Sequence, residues 1–263
     1  MTEANHDRQN STEKRERGTC DPLNTSLEYL RLPYLREQYE ALAKEAAELG
    51  WSHLQYLERL IEGEAHLRED RRIQRRIRLA RFPVIKTLEQ FQWSWPKKIN
   101  RLQVQNLFRL AFIEEKANAI FLAGVGLGKS HLSIALGHTA CLQDYSVFFT
   151  TAIDAINTLA AAHSSGRLKS EINKYLKPRL LILDELGYLP IDKKGADLLF
   201  QIISGRYERG SIIITSNRAF KKWPEIFNND STLTSALLDR LLHHAETTVI
   251  EGSSYRMKDR IES

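Results

Sequence analysis

Residues Ala123 to Ser130 read AGVGLGKS and follow the apolar run AIFLA. An apolar strand that feeds a glycine-rich loop ending in Gly-Lys-Ser, and then a helix, is what triphosphate chemistry requires. Backbone N–H groups at Gly124, Gly126 and Gly128 can wrap phosphates with no Cβ in the way. Lys129 supplies a point charge to the outer phosphates, and the Ser130 hydroxyl is a ligand for Mg²⁺. The helix that starts here aims its positive end at the anion. Ala123 stands where the strict pattern has glycine. Read bare, the loop could be an ordinary glycine-rich turn, but the flanking strand and helix patterns are both present.

Fifty-five residues after Lys129, the run RLLILDELG delivers Asp184 and Glu185 at a strand tip. Asp184 would hold the Mg²⁺ water shell beside Ser130. Glu185 would polarise a water for attack on the terminal phosphate, which favours hydrolysis over transfer to a small molecule. Two adjacent acids can also form a solvated turn. The run SIIITSN places Asn217 at the same carboxyl edge, where ligands bind in open α/β folds; a plain Asn turn is the alternative. No guanine-reading NKxD motif occurs, so ATP is expected rather than GTP.

The elements that must position these groups are legible as a change of period. Before Asn118 the chain reads as helix: residues 34–49, stopping at Gly50; a second from Ser52, with Gln55 completing a capping box; a third from Glu64 to about Arg81; and a fourth over 101–116. The aromatic stretch 87–100 (TLEQFQWSWPKKIN) reads as a linker lying against the second domain. Its Phe91, Trp93 and Trp95 could pack beside a nucleotide base or between domains. From Asn118 onward strands alternate with helices, at 119–123, 146–150, 179–183, 211–215 and 246–250, and the central ones are unbroken β-branched or apolar runs, as parallel strands buried on both faces require. The fold class is therefore α/β: a three-layer domain with a parallel five-stranded sheet, preceded by a small all-α domain. The expected boundaries are a disordered tail over 1–22, a helical domain over 23–82, linker and helix over 83–117, and the sheet domain over 118–263.

At 263 residues the chain can bury one good core and a smaller appendage. It has no apolar run of membrane-spanning length, and its polar N-terminus has no secretory h-region. Its two cysteines, Cys20 and Cys141, have no metal or redox spacing, so a reducing, cytoplasmic setting is expected.

The net charge is +5, and its placement matters more than its sum. Residues 66–81 (HLREDRRIQRRIRLAR) hold seven arginines against Glu69 and Asp70, seven minus two, the whole chain's excess in one segment. At helical spacing Arg68, Arg71, Arg72, Arg75 and Arg78 span one broad face, with Arg76 beside them. Arginine forks suit phosphates, so a helix gripping double-stranded DNA by its backbone is one reading. A solvated face paired to Glu58, Glu62 and Glu64 is the other. A second basic segment, with Arg167, Lys169 and Lys174, reads bare as an ordinary surface helix.

Together these residues resemble the initiator-type AAA+ ATPases, and most closely the IstB-like ATP-binding helpers of insertion-sequence transposases, with the DnaC-type helicase loaders near by. The resemblance runs from about Leu27 to Lys258, through AGVGLGKSHLSIALG, LLILDELGYLP, RYERGSIIITSN and LLDRLLHHAE. It implies a nucleotide-binding set of Gly124, Val125, Gly126, Leu127, Gly128, Lys129, Ser130 and His131, with Arg256 of SSYR as a sensor in cis. Lys129 and Ser130 match Walker A, Asp184 and Glu185 match Walker B, and Asn217 matches sensor 1. Arg240 of LLDRL matches a finger that reaches a neighbouring subunit's ATP. The resemblance also implies a DNA-channel helix at the second basic segment, with Arg167, Lys169 and Lys174. The implied cofactors are ATP and Mg²⁺. The implied partners are double-stranded DNA, a cognate transposase, or in the alternative a replicative helicase, and further copies of the chain in an ATP- and DNA-dependent ring or spiral. Two departures stand out: Val125 replaces a common proline, and few residues remain after Ile250 for the usual helical lid.

Overall fold

The computed structural model describes residues 21–257. The expected tail lies outside that range except for its last two residues, which are ordered into the first helix. The Asp21 carboxylate caps it, accepting from the Leu23 N–H, and Pro22 opens it. The chain forms two compact units that part between Arg72 and Ile73.

The first unit contains α1 (Pro22–Tyr29), α2 (Pro33–Leu49) and the start of α3 (His53–Ala80). Gly50 ends α2 in the left-handed conformation, as expected of a glycine C-cap. Ser52 and Gln55 exchange both bonds of a capping box at the start of α3. The small core gathers Leu27, Leu35 and Leu60. Buried Glu64 accepts from the Tyr34 N–H at 2.9 Å, placing its charge at the N-terminus of α2.

One expectation is corrected here. The two helices expected on either side of Gly63 are a single helix. Gly63 does not break it: a Cβ at this position would lie 2.0 Å from the Tyr34 ring, so the glycine makes room for an aromatic side chain.

The second unit opens with the end of α3, followed by α4 (Arg101–Leu107) and α5 (Ala111–Glu114). The single helix expected over 101–116 breaks between them because Leu110 adopts φ 62°. Then follow β1 (Asn118–Ala123), α6 (Lys129–Leu142), β2 (Val147–Thr151), α7 (Ala152–Ser164) and α8 (Leu168–Leu176). The chain continues through β3 (Leu180–Leu186), α9 (Lys193–Arg206), β4 (Ser211–Ser216), α10 (Trp223–Ile226), α11 (Ser231–Leu242) and β5 (Ala245–Ile250). All five strands are parallel, in the order β2-β3-β4-β1-β5.

Successive residues of β1 face opposite layers. Ile120 and Leu122 join the core under α7, α9 and α11, while Ala119 and Phe121 join the core under α4, α5 and α6. This is the three-layer α/β sheet that the apolar runs implied. Among the described residues, no helix is long and apolar enough to cross a membrane.

Arg206, at the end of α9, is 1% exposed, and its guanidinium pairs with no carboxylate among the described residues. It donates instead to the carbonyls of Tyr175, Leu176, Pro178, Arg179 and Ser211, so one side chain ties the exit of α8 to the entries of β3 and β4. Burial pushes its pKa down to about 10. Arg206→Met would strand these carbonyls in a closed interior and should cost about 3 kcal/mol of stability, measured by urea unfolding. A loss within ~0.5 kcal/mol would show that water satisfies them instead.

Candidate functional site

The carboxyl ends of β1, β3 and β4 lie side by side, and each delivers one part of the site. After β1 the chain turns through Gly126 at φ 73° and Gly128 at φ 87°, conformations that favour glycine. Neither position has room for a side chain: a Cβ on Gly126 would lie 2.1 Å from Ser254 Oγ, and one on Gly128 would lie 2.5 Å from the Phe91 ring. Gly124 meets neither constraint.

Gly128 is the N-cap of α6, whose first residue is Lys129. Lys129 is 4% exposed, and its ammonium donates to the Gly124 carbonyl at 2.8 Å, bridging the loop. Burial pushes its pKa below the usual range; Asp184 and Glu185 pull it back up, and Arg256 adds to the lowering.

β3 runs three residues further than expected, and its pairing with β4 shifts register between Leu183 and Leu186. The acid pair sits in this irregularity, a device that re-aims side chains at a sheet edge. Asp184 is buried and accepts from Ser130 Oγ at 3.0 Å and from Thr215 Oγ1 by a short bond. Glu185 is exposed at φ 61°, and its N–H donates to the same Thr215 hydroxyl at 3.0 Å. Thr215 was not legible as a site residue. The available signal was a hydroxyl in an otherwise apolar buried strand, which must find a partner.

These groups line an open cleft of ≈ 650 Å³. Gly126 through His131, Asp184, Glu185 and Arg256 meet there, together with Tyr188, while Gly124 and Val125 do not line it. The far wall comes from the aromatic linker, through Pro83–Lys86, Phe91 and Trp95. His131 Nε2 pairs with the Thr87 carbonyl at 2.8 Å and holds the linker to α6; burial lowers the imidazole pKa. Trp93 packs edge-on against Phe91 and carries the Arg101 guanidinium over its other surface.

The residues after β5 cross the loop as a strap. Tyr255 N–H donates to the Gly126 carbonyl at 2.9 Å, Trp95 Nε1 donates to the Ser253 carbonyl at 2.9 Å, and Lys98 pairs with Glu251 through both backbone bonds. This strap brings Arg256 to the cleft.

Two expected site residues stand apart. Asn217 follows β4 and does not line the cleft, but its Oδ1 is buried with no hydrogen-bond partner among the described residues. Arg240 lies on α11, which leads into the start of β5, so the length of the sheet, about 20 Å for six residues, separates it from the loop after β1. There it stacks over Phe200 and donates to the Ala236 carbonyl.

The basic segment divides. Arg71, Arg75 and Arg78 are exposed on α3 at spacings of four and three. Arg68 pairs with Glu64 and the Arg31 carbonyl, and Arg72 pairs with Glu69. Arg76 is engaged structurally: it pairs with Asp144 and donates to the Cys141 carbonyl at 3.0 Å. Arg167 donates to Ser165 Oγ just before α8. Lys174 pairs with Glu171, and Lys169 is exposed.

A parallel sheet in this order, with a glycine loop and lysine after β1 and an acid pair at the end of β3, defines a P-loop protein of the AAA+ class. Residues 25–263 match the profile of the IstB-like ATP binding protein family, and the chain belongs to that family. It is 39% identical to the ATP-binding protein of insertion sequence IS5376 from Geobacillus stearothermophilus, over 88% of this chain and 92% of that one. It is 40% identical to the ATP-binding protein of insertion sequence IS21 from Pseudomonas aeruginosa, over 90% and 89%. In fold it is similar to the crystal structure of the DnaC helicase loader, with a TM-score of 0.51 and 22% identity over 63% of this chain and 96% of that one.

Proposed function

We propose that this chain is an ATP-hydrolysing, DNA-assembling helper of a transposase that acts in the cytoplasm. The observation that carries the reading is the Ser130–Asp184–Thr215 bond chain beside Lys129 in one cleft. The donor set fits a magnesium-bound nucleoside triphosphate: a hydroxyl and a carboxylate, both hard oxygen ligands, already lie side by side. The two left-handed glycines form a cradle that a Cβ would fill. The orphaned Asn217 Oδ1 is an acceptor in need of a donor, such as a water.

In this reading Ser130 Oγ and Asp184 hold Mg²⁺, which when bound offsets charge on the outer phosphate oxygens. Lys129 exchanges the Gly124 carbonyl for a phosphate oxygen, its low exposure strengthening that contact. Thr215 fixes the Asp184 rotamer and, through the Glu185 N–H, the backbone of the neighbouring acid. The Glu185 carboxylate accepts the proton of the attacking water. Asn217 orients that water, and Arg256 faces the phosphates from the strap.

Arg240 acts on a second copy of the chain. Its distance from its own loop supports a finger in trans, and with it an ATP-dependent oligomer, ring or spiral, on duplex DNA. Arg71, Arg75 and Arg78, with Lys169, are exposed cations that suit the phosphate backbone. The relatives named for insertion sequences support a transposase as the partner rather than a replicative helicase.

Glu185→Gln should retain ATP binding and lower steady-state hydrolysis by about 100-fold or more, read by phosphate release; normal turnover would remove Glu185 from the chemistry. Arg240→Ala and Lys129→Ala should each be inactive, but mixing them should restore part of the ATPase, because each supplies the half-site the other lacks. An inactive mixture would argue against a finger in trans. Replacing Arg71, Arg75 and Arg78 together with Ala should lower the slope of log affinity for duplex DNA against log salt by about 2–3; an unchanged slope would place the DNA on another surface.

A further inference from the structure

Two turns meet at the end of the sheet opposite the phosphate loop. Tyr207–Gly210 joins α9 to β4, and His243–His244 joins α11 to β5. They present Glu208, His243 and His244, all exposed, with one ligand atom from each within 4.8 Å of the others. None of these side chains has a role in the nucleotide cleft.

We propose that Glu208, His243 and His244 form a binding site for a divalent transition-metal ion of the Zn²⁺ type. Two imidazoles and a carboxylate are a borderline donor set that suits Zn²⁺ and its neighbours, and suits Mg²⁺ or Ca²⁺ poorly.

Both turns are held in place before any ion arrives. The N–H groups of Arg209 and Gly210 both donate to the Arg206 carbonyl, at 2.9 and 3.0 Å, and the Arg206 side chain is itself locked in the interior. On the other side, the Asn118 N–H donates to the His244 carbonyl at 2.7 Å, and the His243 N–H donates to the Asp239 carbonyl at 3.1 Å. The ligands therefore approach one another without a folding cost at the moment of binding.

Tyr207 strengthens the assignment. Its hydroxyl lies 2.9 Å from His243 Nδ1, which orients the ring and leaves Nε2 as the nitrogen available to a cation. A polar group holding the second nitrogen of a ligating histidine is a recurrent feature of metal sites. Three protein ligands leave a fourth position open to water or to a donor from another molecule. Arg240 precedes the two histidines by three and four residues and lines the same small pocket as Glu208 and His244, so an ion would sit on the face that bears the proposed finger.

The test is a Zn²⁺ titration of the full chain against a chelating indicator, with Co²⁺ absorption as a second readout. We expect one Zn²⁺ per chain, at least tenfold weaker binding for His244→Ala and for Glu208→Gln, and loss of the Co²⁺ ligand-field bands in His243→Ala. Because the three side chains are exposed, the variants should unfold at the wild-type temperature, which separates lost ligation from lost fold. No saturable Zn²⁺ binding by the wild type would overturn the proposal. So would binding that survives in the His243→Ala/His244→Ala double variant, which would locate the ion elsewhere in the chain. The outcome is independent of ATP hydrolysis.

Discussion

The buried carboxylate of Asp184 is the constraint around which the second unit is arranged. A charge at 5% exposure is costly unless hydrogen bonds surround it. Here it accepts from two hydroxyls, one from the first turn of α6 and one from β4, with the Lys129 ammonium close enough to be pulled on by its field. Each donor depends on its own strand ending at the right level. Parallel register does that work: β3 pairs with β4 from Leu180 to Leu183 and then slips, so that Asp184 turns toward the loop while Leu186 resumes the ladder. A regular strand would keep strict alternation and send adjacent side chains to opposite faces. The slip, with Glu185 at positive φ, is the backbone deviation that lets two consecutive acids serve one edge.

A second constraint comes from segments far apart in sequence that close on the same loop. The linker residue Trp95 and the strap residue Ser253 are joined by a hydrogen bond, Trp95 stacks edge-on against Tyr255, and Tyr255 is bonded to Gly126. The glycines of the loop are therefore constrained from outside as well as from within. Gly126 yields space to the strap and Gly128 yields it to Phe91. The alternative roles open to the aromatic run are partly resolved by this geometry. Phe91 and Trp95 line the cleft, whereas Trp93 packs beside it. The strap also accounts for Arg256 reaching the cleft.

What was legible in the sequence follows from how local its cause is. The central strands β1, β3 and β4 were readable because parallel strands buried on both faces must be unbroken apolar runs, and all five strands lie within a few residues of their expected places. Gly-Lys-Ser and Asp-Glu were readable because their chemistry is written in adjacent residues. The misses have long-range causes. Gly63 looked like a helix break because its partner, Tyr34, lies 29 residues away. Leu110, the N-cap of α5, turns the chain in a left-handed conformation that no local signal in RLAFIE advertises. Arg76 reads as one more cation in a basic run, yet Asp144, 68 residues on, engages it. Thr215 reads as one more β-branched residue in a strand, and only the neighbouring strand reveals it as the group that holds the acid pair.

The polarity of the sheet sets the last step. In a parallel sheet all carboxyl ends lie on one edge, so loops at that edge can cooperate within one molecule, while loops at the amino edge cannot reach them. Lys129, Ser130, Asp184, Glu185 and Arg256 belong to the first edge, and Arg240 belongs to the second. No rotamer of an arginine spans about 20 Å of strand. A role for Arg240 in phosphate chemistry is thus a statement about two molecules, with the carboxyl edge of one meeting the amino edge of the next. Such a contact is head-to-tail and uses different surfaces on each partner. It propagates into a closed ring or an open spiral rather than stopping at a symmetric pair. In the proposed reading, an arrangement of that kind suits repeated contact along a duplex.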